Sequence, residues 1–196
     1  MFLNLNDAFS RMVFVGGDFS YIILFLVIFL ETGLVVTPFL PGDSLLFLAG
    51  IFAKQGVLNI FLLFFILVFA AILGDSVNYF LGKSFGRRFL IKFSLLNQRQ
   101  FDRAERFYAK HGNITIFIGR FIPIIRTFVP FMAGIGKMNY RKFVTYNVLG
   151  AIVWVGFFLS MGYFFGGLSI VKDNLLIITI LVIVISFLPI LIKRFK

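Results

Sequence analysis

Residues 57–82, VLNIFLLFFILVFAAILGDSVNYFLG, run for eighteen positions without a charge before Asp75. About 20 apolar residues are enough for a helix to cross the hydrocarbon core of a bilayer. Two more runs reach or approach that length: 142–167, KFVTYNVLGAIVWVGFFLSMGYFFGG, and 175–192, LLIITILVIVISFLPILI. A backbone in lipid must satisfy its own polar groups, so such a chain folds as helices or as a closed barrel. The runs are continuous rather than alternating, which argues against the short dyad strands of a barrel. The sequence therefore predicts an all-α polytopic membrane protein, one domain over residues 1–196. Hydrophobic residues make up 60% of the chain and charged residues only 14%, so each charge inside a run needs a reason.

The most costly charges lie in Gly119–Gly134, GRFIPIIRTFVPFMAG. Arg120 and Arg126 sit there with Pro123 and Pro130 in otherwise apolar sequence. A mid-bilayer arginine costs about 2.5–3.5 kcal/mol on insertion scales unless it faces protein, water or an anion. Each proline lacks a backbone donor and interrupts a regular helix. Broken backbone at membrane depth is tolerated where protein buries it or where it lines a cavity. Residues 113–138 are accordingly expected to form a re-entrant hairpin that offers two guanidinium groups to a negative partner. Six residues apart, the two arginines would lie on different faces of a straight helix, and a break at Pro123 can bring them together.

The rest of the chain supplies partners. Residues 1–18 suggest a short interfacial helix or a frayed end, and they lack the pattern of a cleaved signal peptide. Residues 19–53 start as a helix and then meet Pro38 and the turn-like Pro41-Gly42-Asp43-Ser44, which predicts a first re-entrant hairpin. Glu31, in VIFLETGLVV, is an acid with no local cap to serve and is functional by default. Asp43, with Ser44, either caps the following half-helix or has a functional role as well. On the 57–82 span, Gly74, Asp75, Ser76 and Asn78 make one polar face. Asp75 either pairs with an arginine of 119–134 or is solvated at the interface. Residues 83–112 interleave Lys, Arg and aromatic residues, the pattern of amphipathic helices on a membrane surface. Net charge is +11. The basic clusters flank apolar runs, so they set topology and meet anionic lipid rather than nucleic acid, and both 83–112 and the C-terminus are expected to be cytoplasmic. The single histidine, His111, has no partner set for a metal or a triad, and with no cysteine there is no thiol chemistry. No metal and no cofactor is expected. Asn147 and the sole tryptophan, Trp154, lie along 142–167, and Trp154 reads as a packing residue.

A weak internal repeat relates the segment from Thr37-Pro38 to Ala49-Gly50 with that from Val129-Pro130 to Ala133-Gly134. If the two hairpins enter from opposite sides, the halves are inverted repeats, with broken helices and the working site at the midplane.

Three motifs carry a family resemblance: Glu31-Thr-Gly with Pro41-Gly-Asp-Ser; Gly74-Asp-Ser with Tyr79, Gly82 and Gly86; and Gly119-Arg-Phe-Ile-Pro with Arg126-Thr-Phe-Val-Pro and Ala133-Gly134. On these the chain resembles the DedA family, the SNARE-associated or VTT-domain superfamily, from about residue 20 to 167. The resemblance implies a multi-pass protein of the bacterial inner membrane with two opposed re-entrant hairpins and about three transmembrane helices. It implies transport of undecaprenyl phosphate or function linked to the proton motive force, and a likeness to lipid scramblases. The family's functional positions map to Glu31, Asp43, Arg120 and Arg126.

Together these readings predict a transporter of an anionic polyprenyl-phosphate lipid, coupled to protons. Arg120 and Arg126 would bind the phosphate, because guanidinium presents a planar fork of donors and keeps its charge. Glu31 and Asp43 would exchange protons. Asp75, Ser44, Pro41, Pro123, Pro130 and Thr127 would support them. Membrane lipid and protons are the expected partners, and a homo-oligomer is compatible with the sequence. The alternative on the same fold is a proton- or cation-coupled transporter or a phospholipid scramblase. A lipid-phosphate enzyme is disfavoured by the lack of HExxH, cysteine and any Ser-His set. A purely structural reading, with the four charged groups as permanent ion pairs, predicts that Arg126→Lys is tolerated.

Overall fold

The computed structural model of the chain describes residues 17–34, 42–86, 114–169 and 171, and every regular element among them is helical. Helix α1 is Gly17–Gly33, α2 is Gly42–Lys54, α3 is Ile60–Leu81, α4 is Pro123–Ile135 and α5 is Tyr140–Phe165. A π turn, Gly82–Gly86, extends α3, and residues 114–119 form a further helical stretch before α4. Most of the expected interfacial helix at 1–18, the tip of the first hairpin with Pro38 and Pro41, the greater part of the basic segment 83–112 with His111, and the last span, 175–192, lie outside the described residues.

Among the described residues two helices are long and apolar enough to cross a membrane, Ile60–Ser84 with 25 residues and Tyr140–Phe165 with 26. At 1.5 Å per residue each reaches about 38 Å, more than the hydrocarbon core requires. Their outward faces are apolar. Phe61, Phe65 and Phe69 project from α3 at helical spacing, with Phe61 74% exposed. Leu149, Ile152, Val153 and Phe157 do the same on α5. Such a surface is unfavourable in water and natural against lipid tails. By contrast α2 and α4 have 13 residues each, about 20 Å, too short to span.

Local chemistry explains the helix ends. The 57–82 run enters its helix at Ile60 because Asn59 caps it, Oδ1 accepting from the N–H groups of Phe61 at 2.9 Å and Leu62 at 3.1 Å. Before it, α2 closes in a Schellman motif. Gly56 takes φ +77, Val57 N–H donates to the Phe52 carbonyl and Gly56 N–H to that of Ala53. Helix α4 begins where Pro123 forces the residue before it out of the α region. Ile122 there has φ −108 and ψ 108.

The sequence predicts a break at both prolines, but only Pro123 marks one. Pro130 lies inside α4, which continues to Ile135. A proline in a helix leaves a carbonyl one turn back without its donor. Here Asn78 of α3 donates through Nδ2 to the Thr127 carbonyl at 2.7 Å, in the turn that Pro130 disturbs.

The described residues divide into two compact units. In one, residues 17–27, 42–67 and 155–171, α2 lies against the C-terminal part of α5. A Cβ on Gly50 would overlap the Leu159 carbonyl and lie 2.8 Å from the Tyr163 nitrogen, and one on Gly162 would overlap the Phe47 carbonyl. In the other unit, residues 28–34, 68–86 and 114–154, α4 lies against the C-terminal end of α3. A Cβ on Gly134 would overlap the Tyr79 carbonyl and lie 2.7 Å from the Lys83 nitrogen, and one on Gly82 would overlap the Phe131 carbonyl. The pattern is the same in both. The second residue of an Ala-Gly pair on a 13-residue helix meets the carbonyl of residue i and the nitrogen of i+4 on a spanning helix. The glycine at i+3 returns the contact. Tyr79 further ties α3 to the α4–α5 turn, its hydroxyl donating to the Met138 carbonyl and its ring stacking on Phe143 with centroids 4.6 Å apart.

Candidate charge-paired site

The second unit gathers four buried charges. Helix α1 delivers Glu31 in its last turn, and α3 delivers Asp75 from its C-terminal third. Arg120 stands at the turn between 114–119 and α4. That turn is held by Phe121 N–H donating to the Ile118 carbonyl at 3.1 Å and Ile122 N–H to that of Gly119 at 3.2 Å. Arg126 lies in the first turns of α4, its N–H returning to the Ile122 carbonyl at 2.9 Å. The break just before Pro123 brings both guanidinium groups to one place, the convergence that a break at Pro123 allows. Glu31 has no exposed surface, Arg120 4% and Arg126 7%.

Each arginine meets one carboxylate. Arg126 Nη2 pairs with Glu31 Oε1, and Arg120 Nη2 pairs with Asp75 Oδ2. Of the two readings of Asp75, pairing with an arginine is the one observed. Arg120 Nη2 also donates to Asn147 Oδ1 of α5, and Asn147 is anchored in turn by Nδ2 donating to the Ile72 carbonyl at 3.2 Å. Arg120 Nη1 has no hydrogen-bond partner among the described residues. Gly150 of α5 lies beside the arginine, where a Cβ would meet Arg120 Nε at 3.4 Å, an ordinary contact distance.

Trp154 of α5 covers both pairs. Its ring lies 4.9 Å from the Arg126 guanidinium carbon and 5.8 Å from that of Arg120, and it is fully buried. Both distances fall within the roughly 6 Å reach of a cation–π contact. Trp154 also lines a cavity of about 10 Å³, together with Thr32, Asp75, Ile116, Arg120, Arg126 and Pro130. That is about the volume of a single water. Asn78 of α3 links α1 to α4, donating to the carbonyls of Thr32 at 3.1 Å and Thr127 at 2.7 Å. Among the described residues no group of three His, Cys, Asp or Glu is placed to hold a metal.

The expected site residues divide between the two units. Glu31, Asp75, Arg120, Arg126, Thr127, Pro123 and Pro130 all belong to the unit with the charge pairs. Asp43 and Ser44 belong to the other, in the first turn of α2, and Pro41 lies outside the described residues. The sequence by itself gives Asn147 no role, and Trp154 reads there as a packing residue. A signal was present: Asn147, Gly150 and Trp154 are spaced i, i+3, i+7, one stripe of α5.

The VTT domain family matches residues 40–164 of the chain. Protein DedA of Escherichia coli K12 is 47% identical over 194 residues, which cover 95% of this chain and 87% of that protein. Inner membrane protein YghB of the same strain is 36% identical over 156 residues, 79% of this chain and 71% of the relative. Inner membrane protein YqjA, also of that strain, is 36% identical over 148 residues, 74% of this chain and 67% of the relative. No solved structure matches the chain.

Proposed function

Because the chain belongs to the DedA family of VTT-domain membrane proteins, we propose that it moves an anionic polyprenyl-phosphate lipid, undecaprenyl phosphate, across a bacterial cytoplasmic membrane, coupled to protons. One observation carries this reading: two arginines converge on one buried cavity, and each is held by a carboxylate that a proton can neutralise. Protonation of Glu31 frees Arg126, and protonation of Asp75 frees Arg120. The freed donor forks then grip the lipid phosphate in the plane of each guanidinium. Loss of the proton restores the ion pair and expels the lipid. Asp43 serves as a further titrating group in the other unit. The protein acts as a transporter and not as an enzyme.

On this reading α2 and α4 are inner arms of two opposed re-entrant hairpins, 19–53 and 113–138. The contact pattern shared by Gly50 with Gly162 and by Gly134 with Gly82 supports an internal repeat. Family relatives named as inner membrane proteins support placement in that membrane, with the basic C-terminus cytoplasmic.

A second reading, proton- or small-cation-coupled transport, is favoured by the size of the cavity, which suits a water or an ion without any rearrangement. Proteoliposomes separate the two. Undecaprenyl phosphate is loaded in one leaflet, a pH gradient is imposed, and wild type is compared with Glu31→Gln and Arg126→Ala. Movement of the lipid by wild type, lost in both folded variants, is expected. Dissipation of the gradient through Glu31 with no lipid movement would put ion transport in its place.

A further inference from the structure

The four charged groups do not account for Trp154, the only tryptophan in the chain. We propose that Trp154 is a positioning residue: its indole face holds both guanidinium groups in the site while their carboxylates are neutral or displaced. The inference rests on the transport reading only for its purpose, and its geometry stands without it.

A guanidinium can use two surfaces at once. Its planar face stacks on an aromatic ring, and its N–H edge stays free for an anion. The Trp154 ring lies 4.9 Å from Arg126 and 5.8 Å from Arg120, while the edge atom Nη2 of each arginine goes to its carboxylate. The two partners therefore do not compete. A buried cation that loses its counter-charge in a low dielectric is strongly disfavoured and tends to swing towards water. The ring quadrupole supplies a partner that no proton can remove. Tryptophan is the strongest such ring, and the contact gains in strength when desolvated, as it is beside a fully buried ring. Phenylalanine keeps the ring face at reduced strength, and leucine keeps only volume.

The test is a double-mutant cycle on unfolding in mixed SDS micelles, with no ligand present. Trp154→Leu and Trp154→Phe are each made in wild type and in Glu31→Gln, where Arg126 faces a neutral partner. If Trp154 holds the freed arginine, Trp154→Leu raises the unfolding constant roughly tenfold more in the Gln background than in wild type, and Trp154→Phe restores most of that difference. A tryptophan that only fills space gives the same cost in both backgrounds, which would overturn the proposal. Should Glu31→Gln fail to fold, Asp75→Asn supplies the same cycle through Arg120. In neutral dodecyl maltoside micelles free of SDS, dodecyl phosphate is then added and Trp154 emission is followed. Absence of any response or binding in wild type counts against the phosphate reading of the site, while the cycle decides the role of Trp154 separately.

Discussion

Removing Asp75 tests whether the Arg120 pair is as dry and as necessary as its geometry implies. Arg120 is 4% exposed and directs Nη2 to both Asp75 and Asn147. Asp75→Ala deletes a charge-assisted hydrogen bond and leaves a buried cation with Asn147 and the face of Trp154. Breaking a buried pair from one side costs about 3–5 kcal/mol. Asp75→Asn keeps a neutral acceptor of the same shape and should cost about half as much, in the range of 1.5–3 kcal/mol for one hydrogen bond to a charged group. Asp75→Asn/Arg120→Met removes both charges and should return to within about 1 kcal/mol of wild type, because a buried pair can be replaced by neutral groups at little net cost. Reversible unfolding in SDS micelles gives the three stabilities, and lipid translocation in proteoliposomes gives the activities. The double variant separates structure from function. If it is stable and inactive, the charges do more than hold helices together. If it transports at the wild-type rate, the Arg120–Asp75 pair is a structural clamp. A cost below about 0.5 kcal/mol for Asp75→Ala, the level of an ordinary surface substitution, would refute the burial on which the reasoning rests.

Two further outcomes follow from other residues. Arg126→Lys keeps the charge and loses the planar fork and most of the stacking on Trp154, so translocation should fall at least about tenfold while the protein still folds; an unchanged rate would favour a role for Arg126 as a simple structural charge. Gly50→Ala and Gly134→Ala each drive a methyl into a backbone carbonyl that cannot rotate away, so each should destabilise by about 1–3 kcal/mol, readable as a lower unfolding temperature in detergent, and similar penalties at the two positions are what a repeated helix contact requires.

The cost of burying charge made half of this site legible in the sequence. Arg120, Arg126 and Glu31 stand out because apolar neighbours offer them nothing, and all three do lie in the cluster. Asp75 stood between two readings because it falls late in its span, where an acid is either at the interface or paired, and only the approach of Arg120 from 45 positions away decides it. Trp154 and Asn147 were hidden for a different reason. An indole or an amide in a spanning helix is affordable in any packed interior, so neither announces a role until the arginines are seen against them. Pro130 shows the limit of local rules, since α4 continues through it to Ile135.

Charge balance gives the proposed cycle its coupling. The cluster holds two guanidinium and two carboxylate groups, so the buried site is neutral as it stands. A phosphate entering a site this small cannot simply be added, because one uncompensated buried charge costs several kcal/mol even after relaxation. A monoanionic phosphate needs one proton taken up at Glu31 or Asp75 to restore neutrality, and a dianion needs both. The displaced carboxyl then stays beside the arginine as a neutral donor or acceptor and need not leave the site. In the proposed cycle, two pairs sharing one ring and one cavity therefore link anion binding to proton uptake. A lone arginine with a permanent counter-ion elsewhere would bind phosphate without that obligation.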